Sequence, residues 1–341
     1  MYRTFADVVT KNDLDEQAKQ AGLRPLTPPV TDGKPYNDVA ERSGEQAAYM
    51  EKIIHRMENL PPDPRQDNPL KITNDARKAG LDYRLIEPHA DDFAGSKVNA
   101  AVERIYHIWS DTAADRGTQL VFCDLSTPKD DGTFSVYDDI HAKLLELGIP
   151  ENEIAFIHNA KSEVQKKDLF GKVRSGQVRI LLGSTQRMGA GTNCQQKLIA
   201  LHHLDCPWRP SDLQQREGRI IRQGNENPEV DIYSYVTEGT FDAYLYQLVE
   251  SKQKFISQIM TSKSPVRSAE DVDEQALSYA EIKALASGNP MIKEKMDLDI
   301  EVSKLKLLKA NHLSQKYALE DAISKDFPKQ IAETQARIAG Y

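Results

Sequence analysis

VRILLGSTQRMGAGTN, residues 178–193, joins an apolar run of strand length to a loop of small and polar residues. Such a run is typical of a strand that is buried on both faces of a parallel sheet. Comparable runs stand at 118–122 (TQLVF), 154–158 (IAFIH), 197–205 (KLIALHHLD) and 230–236 (VDIYSYV). Because helical patterns separate these runs, the sequence predicts an α/β fold with a parallel sheet and helices on both faces.

The regions on either side of this alternation are predicted to be helical. Residues 1–95 are polar and broken by prolines, with helical patterns at 45–59 and 67–85 and no evident strand period. Further along the chain, a polar linker leads to a helical pattern that Pro328 should end or kink. The expected domains are a helical connector (1–95), an α/β lobe (96–262), and a linker with a helical arm (263–341).

Composition places the chain among soluble, folded proteins. A hydrophobic content of 39% and a charged content of 28% suit a buried core and a solvated surface. The sequence has no apolar run long enough to span a bilayer and no secretory signal pattern, so we expect a cytoplasmic protein. The net charge of −8 argues against nucleic-acid binding through the whole surface, although a local basic patch stays possible.

Several residue groups that could carry other chemistry are assigned to ordinary structure. The three cysteines, 123, 194 and 206, form no C-x-x-C pair, which argues against a disulfide scaffold or a zinc site. His202 and His203 are neighbours on a predicted strand and should point to opposite faces, so we expect no metal site there. The DEQA segments at 15–18 and 273–276 follow no apolar strand, so they are expected to lie on helix surfaces.

Two nucleotide-binding patterns are missing from the sequence. The GAGTNC segment at 189–194 ends in cysteine and does not complete the dinucleotide fingerprint, which argues against a nicotinamide or flavin oxidoreductase. No G-x-x-x-x-G-K-[ST] loop occurs anywhere in the 341 residues. The chain therefore has no self-sufficient site for nucleotide phosphates.

Three polar segments follow predicted strands: CDLSTP at 123–128, GSTQRMGAGTN at 183–193, and DCPWRPSDLQQREGRIIRQG at 205–224. Ligands of open α/β sheets bind beyond the carboxyl ends of the strands. We therefore expect a functional site where these segments meet. An ordinary loop that turns from strand to helix remains the alternative for 183–193.

Arg216, Arg219 and Arg222 recur every three residues and would share one face if this stretch were helical. They could form a solvated face with ion pairs inside the helix. They could also reach a phosphate carried by another domain, since the guanidinium fork matches phosphate geometry and stabilises charge during phosphoryl transfer.

Two further features of the sequence can each be interpreted in two ways. The basic segment 161–179 is either a solvated helix face or a contact to a nucleic-acid backbone. Trp208 either stacks on a base or packs within the rigid turn CPWRP.

The three polar segments resemble motifs IV, V and VI of superfamily-two helicases, most closely those of the second RecA-like lobe of Swi/Snf-type ATPases. There, motif V reads S-T-x-x-x-G-x-G-x-N and motif VI reads Q-x-x-x-R-x-x-R-x-G-Q. The sequences of residues 67–85 and 239–247 also resemble the C-terminal part of large helicase and adenine-methylase-like proteins of phages and conjugative elements. The resemblance implies a RecA-like fold.

The resemblance also assigns three roles to residues of these motifs. The arginine fingers that touch the terminal phosphate are Arg219 and Arg222. The residues that line the nucleotide cleft are Gln215, Gly191 and Asn193. Those that contact the nucleic-acid backbone are Thr185, Ser184, Asp124 and Ser126. Asn225 stands where the family usually has glutamine, which leaves the end of motif VI without an assignment.

Motifs I, Ia, II and III, which bind the nucleotide phosphates and magnesium in the family, have no counterpart in this sequence. We expect a fragment: the second motor lobe of an ATP-dependent DNA helicase or translocase, inactive alone, whose connector leads from the first lobe. ATP and Mg²⁺ would be held mainly by that first lobe. The expected partners are DNA, the first lobe, and a protein docked on the helical arm. The alternative is a degenerate, non-catalytic lobe that docks a protein or DNA.

Overall fold

The computed structural model describes two parts of the chain. Within the first 260 residues it covers 20, 26–129, 131–188 and 193–260. In the C-terminal region it covers 298, 302, 305, 308–309, 312, 316, 319–320 and 322–339. Contacts divide the chain into two units, 6–255 with 273–288, and 1–5 with 256–272 and 289–341.

The described strands are β1 (Tyr36–Ala40), β2 (Thr118–Phe122), β3 (Ile154–Phe156), β4 (Ile180–Gly183), β5 (Leu198–His203) and β6 (Asp231–Thr237). The described helices are α1 (Gly44–Glu58), α2 (Pro69–Leu81), α3 (Lys97–Asp111), α4 (Val136–Glu146), α5 (Glu163–Ser175), α6 (Thr185–Met188), α7 (Pro210–Glu217), α8 (Phe241–Met260) and α9 (Phe327–Ala339).

The strands form one parallel sheet in the order β1-β6-β5-β2-β4-β3. Successive side chains of β2 enter different cores. Leu120 and Phe122 pack in the cluster that includes Phe170 of α5, whereas Val121 packs in the cluster that includes Ile105 of α3. Helices therefore cover both faces of the sheet, and the predicted α/β, RecA-like fold class is confirmed.

The absence of a strand from residues 1–95 was a wrong prediction. Tyr36–Ala40 forms β1 at the edge of the sheet, in parallel register with β6 from Tyr36 opposite Tyr233 to Ala40 opposite Thr237. The strand alternates partly buried and exposed residues, and Val39 is 59% exposed. An edge strand is only partly covered by the rest of the protein, so its sequence contains few consecutive apolar residues. The two helices predicted in this region are confirmed as α1 and α2.

Side-chain caps explain where several helices start. Ser43 with Gln46 and Ser162 with Gln165 form reciprocal capping boxes on α1 and α5. α5 stops at Gly176, whose φ of 76° lies in the left-handed region that glycine adopts without strain. Such local signals fix the helices that carry the loops described below.

A buried ion pair joins the starts of two helices. Lys97 at the start of α3 and Asp242 at the start of α8 are each 1% exposed, and the Lys97 Nζ donates to Asp242 Oδ2. The backbone N–H of Thr237, at the end of β6, also donates to Asp242 Oδ2 at 3.4 Å. Asp242 therefore connects two helices and the last strand.

In the C-terminal unit, a π-helical turn spans Ala322–Asp326 and α9 follows it. Pro328 is the second residue of α9, directly after the π-helical turn. The helical run therefore does not end at Pro328, and the predicted kink stays a prediction. Among the residues that the structure describes, no helix is long and apolar enough to cross a membrane.

Candidate nucleotide and nucleic-acid site

The three polar segments meet at one edge of the sheet. Strand β2 lies between β5 and β4, so the loops that leave their carboxyl ends are neighbours. A cleft of about 640 Å³ opens there, lined by Asp124, Thr127, Ser184, Thr185, Gln186, Asp212 and Gln215. The chain runs from β2 towards β3 on one side of the sheet and from β5 towards β6 on the other, so the neighbours β2 and β5 form the topological switch point where α/β sheets bind ligands.

Four residues assigned from the sequence line this cleft: Asp124, Ser184, Thr185 and Gln215. Sequence reasoning missed Thr127, Gln186 and Asp212, although each lies within three residues of an assigned position. Hydroxyl and amide groups dominate the lining. Such groups can hydrogen-bond the sugar and phosphate of a nucleic acid without reading its bases.

Thr185 already uses its donors within the protein. Its N–H donates to Asp124 Oδ1 at 2.6 Å and its hydroxyl to Asp124 Oδ2 at 2.7 Å. Burial raises the pKa of the Asp124 carboxyl, but the charge of Arg216 and the bonds from Thr185 outweigh it and hold the pKa below its usual range. Thr185 can therefore donate to a phosphate only by giving up a bond to Asp124.

The remaining predicted contacts are placed differently. Ser126 is 5% exposed and its hydroxyl accepts the N–H of Val136 at 2.8 Å, so this side chain supports the start of α4. The exposed Asn193 accepts at its carbonyl a bond of 2.6 Å from Arg174 Nη1. Gly191 lies outside the described residues.

The helix of motif VI is shorter than predicted. α7 ends at Glu217, and the chain continues in turns in which the N–H of Arg219 bonds to the carbonyl of Arg216 at 3.0 Å. Ile220 is 0% exposed and packs in the core, which draws the backbone out of a continuous helix. The expectation of three arginines on one helical face was therefore wrong.

Arg219 and Arg222 lie in these turns and are partly buried. Burial and the nearby charge of Arg222 lower the pKa of the Arg219 guanidinium. Burial also raises the pKa of the Cys194 thiol to about 12, against the charges of Arg219, Arg174 and Arg222. Motif VI arginines thus lie beside the end of motif V, where two like charges close together favour an anion.

Arg216 differs from the other two arginines because its side chain is 0% exposed. Its Nε donates to Thr185 Oγ1 at 2.7 Å, and its Nη2 donates to Asp124 Oδ2 at 2.8 Å and Asp205 Oδ1 at 3.0 Å. Its Nη1 donates to the carbonyl of Asp205 at 2.8 Å, and the guanidinium lies over the Phe122 ring. The spacing of three residues does not distinguish Arg216 from Arg219 and Arg222, although the resemblance to motif VI assigns it no role.

Asn225 supports the segment that follows motif V. Its Nδ2 donates to the carbonyls of Leu198 at 2.8 Å and Ile220 at 3.1 Å. The Gln195 Nε2 also donates to the carbonyl of Gln223 at 2.9 Å. These bonds tie the start of β5 to the end of motif VI, which accounts for a position that the sequence comparison left unassigned.

The basic helix α5 and Trp208 are largely occupied by contacts within the protein. Lys166 pairs with Glu163 and Lys172 pairs with Asp168 along α5. Trp208 lies 4.7 Å beneath the guanidinium carbon of Arg77 and packs at an angle against Phe241. Within the described part of the chain, no group of three or more His, Cys, Asp or Glu side chains comes together to hold a metal ion.

The two histidines of β5 are both fully buried. His202 bonds to the Tyr235 hydroxyl and to Gln119 Oε1, both at 2.9 Å. Burial and the charge of Arg216 lower the pKa of His203, whose Nε2 lies 3.9 Å from Glu217 Oε1. The expectation that these histidines are buried or hydrogen-bonded is confirmed.

Replacing Glu217 with glutamine should stabilise the protein in a pH-dependent way. Burial raises the pKa of Glu217 from its ordinary value of 4.5 to about 7. The folded form therefore holds this proton to higher pH than the unfolded chain, so its stability falls between these two values. We expect Glu217→Gln to raise Tm by about 4 °C at pH 8 and hardly at all at pH 5, measured by calorimetry. The exposed Glu151→Gln serves as control, and an equal gain at both pH values would contradict the assignment.

Comparison with known proteins agrees with this architecture. The family described as "Helicase conserved C-terminal domain" matches residues 100–224. Over 84 residues the chain is 34% identical to the Defense against restriction protein B of Escherichia phage P1, covering 24% of this chain and 4% of that protein. Over 87 residues it is 34% identical to the uncharacterized ATP-dependent helicase YqhH of Bacillus subtilis (strain 168), covering 26% and 15% of the two chains.

Among solved structures, the SWI2/SNF2 ATPase core domain of Sulfolobus solfataricus superposes with a TM-score of 0.51 at 15% identity, covering 74% of this chain and 48% of that one. The matched segments span small parts of the curated relatives, and the structural likeness concerns the fold. Residues 100–224 therefore match the helicase conserved C-terminal domain family, and the chain shares the RecA-like fold of the SWI2/SNF2 ATPase core domain.

Proposed function

We propose that this lobe is the second motor lobe of an ATP-dependent DNA helicase or translocase. In this proposal a first RecA-like lobe binds ATP and Mg²⁺, and Arg219 and Arg222 complete the site when the two lobes close. The observation that carries the proposal is the meeting of motifs IV, V and VI at one edge of the sheet. There, side chains from all three motifs line one cleft.

The phosphate side of the proposal is supported by charge. Arg219 and Arg222 lie close enough for one to lower the pKa of the other. A terminal phosphate between them relieves this repulsion and accepts the hydrogen bonds of both forks. In phosphoryl transfer such cations act on charge that develops during the reaction, so their contribution falls on the rate.

The nucleic-acid side of the proposal is supported by the chemistry of the cleft. Thr127, Ser184, Gln186 and Gln215 offer donors that are suited to a sugar-phosphate backbone. Asp212 adds negative charge to the same cleft, so phosphate attraction has to come from its rim, where Arg187 of α6 is exposed. A cleft of this kind favours contacts that do not depend on sequence, as translocation along DNA requires.

The test is to join this chain to the first lobe of its own full-length protein and measure ATP hydrolysis with and without duplex DNA. We expect hydrolysis that DNA stimulates in the joined protein and none in this chain alone. Absence of hydrolysis from a folded, joined protein that binds ATP would support the degenerate docking lobe instead.

The DNA half of the proposal is tested in this chain alone by fluorescence anisotropy with a labelled duplex. Gln186→Glu adds a negative charge beside the bound backbone and should weaken binding about fivefold at low salt, an effect that salt screens. Gln177→Glu makes the same change at an exposed position before β4, at the opposite edge of the sheet, and should leave affinity unchanged. Equal affinities of the two variants for DNA would show that DNA does not bind in the cleft.

A further inference from the structure

Arg216 reaches the ends of three strands from a single position on α7. Its hydrogen bonds go to Asp124 after β2, Thr185 after β4 and Asp205 after β5. These three partners lie at the carboxyl edge of the sheet, and two of them, Asp124 and Thr185, line the cleft. The side chain is 0% exposed, so it forms the base of the cleft and does not itself face a ligand.

The two carboxylates around Arg216 hold the backbone of the motif IV loop. Asp205 Oδ2 accepts the N–H of Asp124 at 2.5 Å and that of Leu125 at 2.8 Å. Asp124 in turn accepts both donors of Thr185. Because two acids share one buried cation, neither can be displaced without a change in the bonds of Arg216.

Arg216 is also close in sequence to Arg219 and Arg222, the two arginines proposed to bind the terminal phosphate. Arg216 directly follows Gln215, which lines the cleft, and its carbonyl accepts the N–H of Arg219 at 3.0 Å. The residue that holds the three strand ends is therefore hydrogen-bonded through its backbone to the turn that carries Arg219. A nucleic acid that accepted the hydrogen bonds of Thr185 in place of Asp124 would also change the contact between Asp124 and the Arg216 guanidinium.

We propose that Arg216 is a positioning residue that couples occupation of the nucleic-acid cleft to the placement of Arg219 and Arg222. Binding of DNA at Thr185 changes the Asp124–Arg216 contacts, and Arg216 passes this change to the turn of motif VI. The inference rests on the proposed function for its ATPase readout. Its geometric basis can be measured in this chain alone.

The experiment compares Arg216→Lys with Arg179→Lys. Lysine keeps the charge but cannot make the forked contacts of a guanidinium. Arg179 is a matched control because it is also a buried arginine, 2% exposed, and it donates to Gly117 and Trp109 carbonyls at the opposite edge of the sheet. The readouts are the ratio of DNA-stimulated to unstimulated ATPase in the joined protein, and amide hydrogen exchange at Asp124, Leu125 and Thr185 in this chain.

For Arg216→Lys we expect faster exchange at those three amides and a stimulation ratio lowered by about tenfold, a typical size for coupling between sites. For Arg179→Lys we expect the ratio to stay within about twofold of the wild type. If Arg216→Lys does not fold, Asp205→Asn keeps the arginine and weakens its pairing, and it should lower the ratio in the same direction.

The possible results separate the two proposals. A stimulated wild type with an unchanged ratio in Arg216→Lys overturns the coupling role and leaves the proposed function standing. Unchanged exchange at the three amides overturns its geometric basis. A folded, joined wild type that DNA does not stimulate overturns both proposals. An equal loss of ratio in Arg179→Lys assigns the effect to general destabilisation and also overturns the inference.

Discussion

Replacing Arg222 with alanine should lower the DNA-stimulated ATPase rate of the joined protein by a factor of about 10³, the lower end of what an arginine finger contributes. The loss should fall on kcat, because the guanidinium acts on charge that develops as the phosphoryl group is transferred. Arg222→Lys should recover only a small part of the rate, since an ammonium group cannot make the forked contact. Steady-state hydrolysis at saturating ATP and DNA measures this effect.

Arg65→Ala is the matched control for Arg222→Ala. The Arg65 side chain is 88% exposed and pairs with Asp63, before α2 and outside the motifs, so its removal should leave the rate unchanged. The DNA concentration for half-maximal stimulation should change little in Arg222→Ala. A rate within about twofold of the wild type would refute the assignment of Arg222 to the phosphate. A loss of DNA affinity alone would indicate that Arg222 contacts the nucleic acid instead.

Replacing Lys97 with methionine should destabilise the fold by about 3–5 kcal/mol at pH 8, because it leaves the Asp242 carboxylate buried without a cation. For a domain of this size the loss corresponds to a decrease in Tm of about 10 °C. Burial already raises the pKa of Asp242, against the charge and hydrogen bond of Lys97. Without the lysine the folded protein should bind this proton more tightly, so the loss should shrink as the pH falls toward 4.

Thermal and urea unfolding of two further variants isolate the origin of this loss. Lys172→Met removes a lysine that is 49% exposed and pairs with Asp168 on the surface of α5, and should cost less than about 1 kcal/mol. Adding Asp242→Asn to Lys97→Met should restore part of the stability, because the amide carries no charge. A double variant as unstable as Lys97→Met would show that packing, and not the buried charge, causes the loss.

The sequence predicted best those strands whose burial requires consecutive apolar residues. Strands β2 and β4 are buried along their whole length, and their sequences contain the apolar runs 120–123 and 180–182. Their positions next to each other, and beside β5, brought the polar segments together as expected. Strand β1 was missed because two of its five residues are exposed and its polar sequence resembles that of a loop.

Within the site, sequence spacing could not separate the three arginines of motif VI. A spacing of three residues fits a helical face, but the helix ends at Glu217, and Arg219 lies in the turns that bring Ile220 into the core. The burial of Arg216 depends on three strand ends that are far apart in the chain. Similarly, the engagement of Thr185 with Asp124 joins residues 61 positions apart, which no local pattern contains.

The edge position of β1 bears on how small this lobe can be made. The segment that matches the helicase domain family starts at residue 100, whereas β1 lies at Tyr36–Ala40 and supplies the parallel partner of β6. A truncation that begins after β1 would leave the β6 backbone with a row of unsatisfied N–H and C=O groups on its outer side. Such an uncovered edge recruits strands from other molecules. The minimal self-contained lobe must therefore reach back at least to Tyr36, and shorter versions should be prone to aggregation.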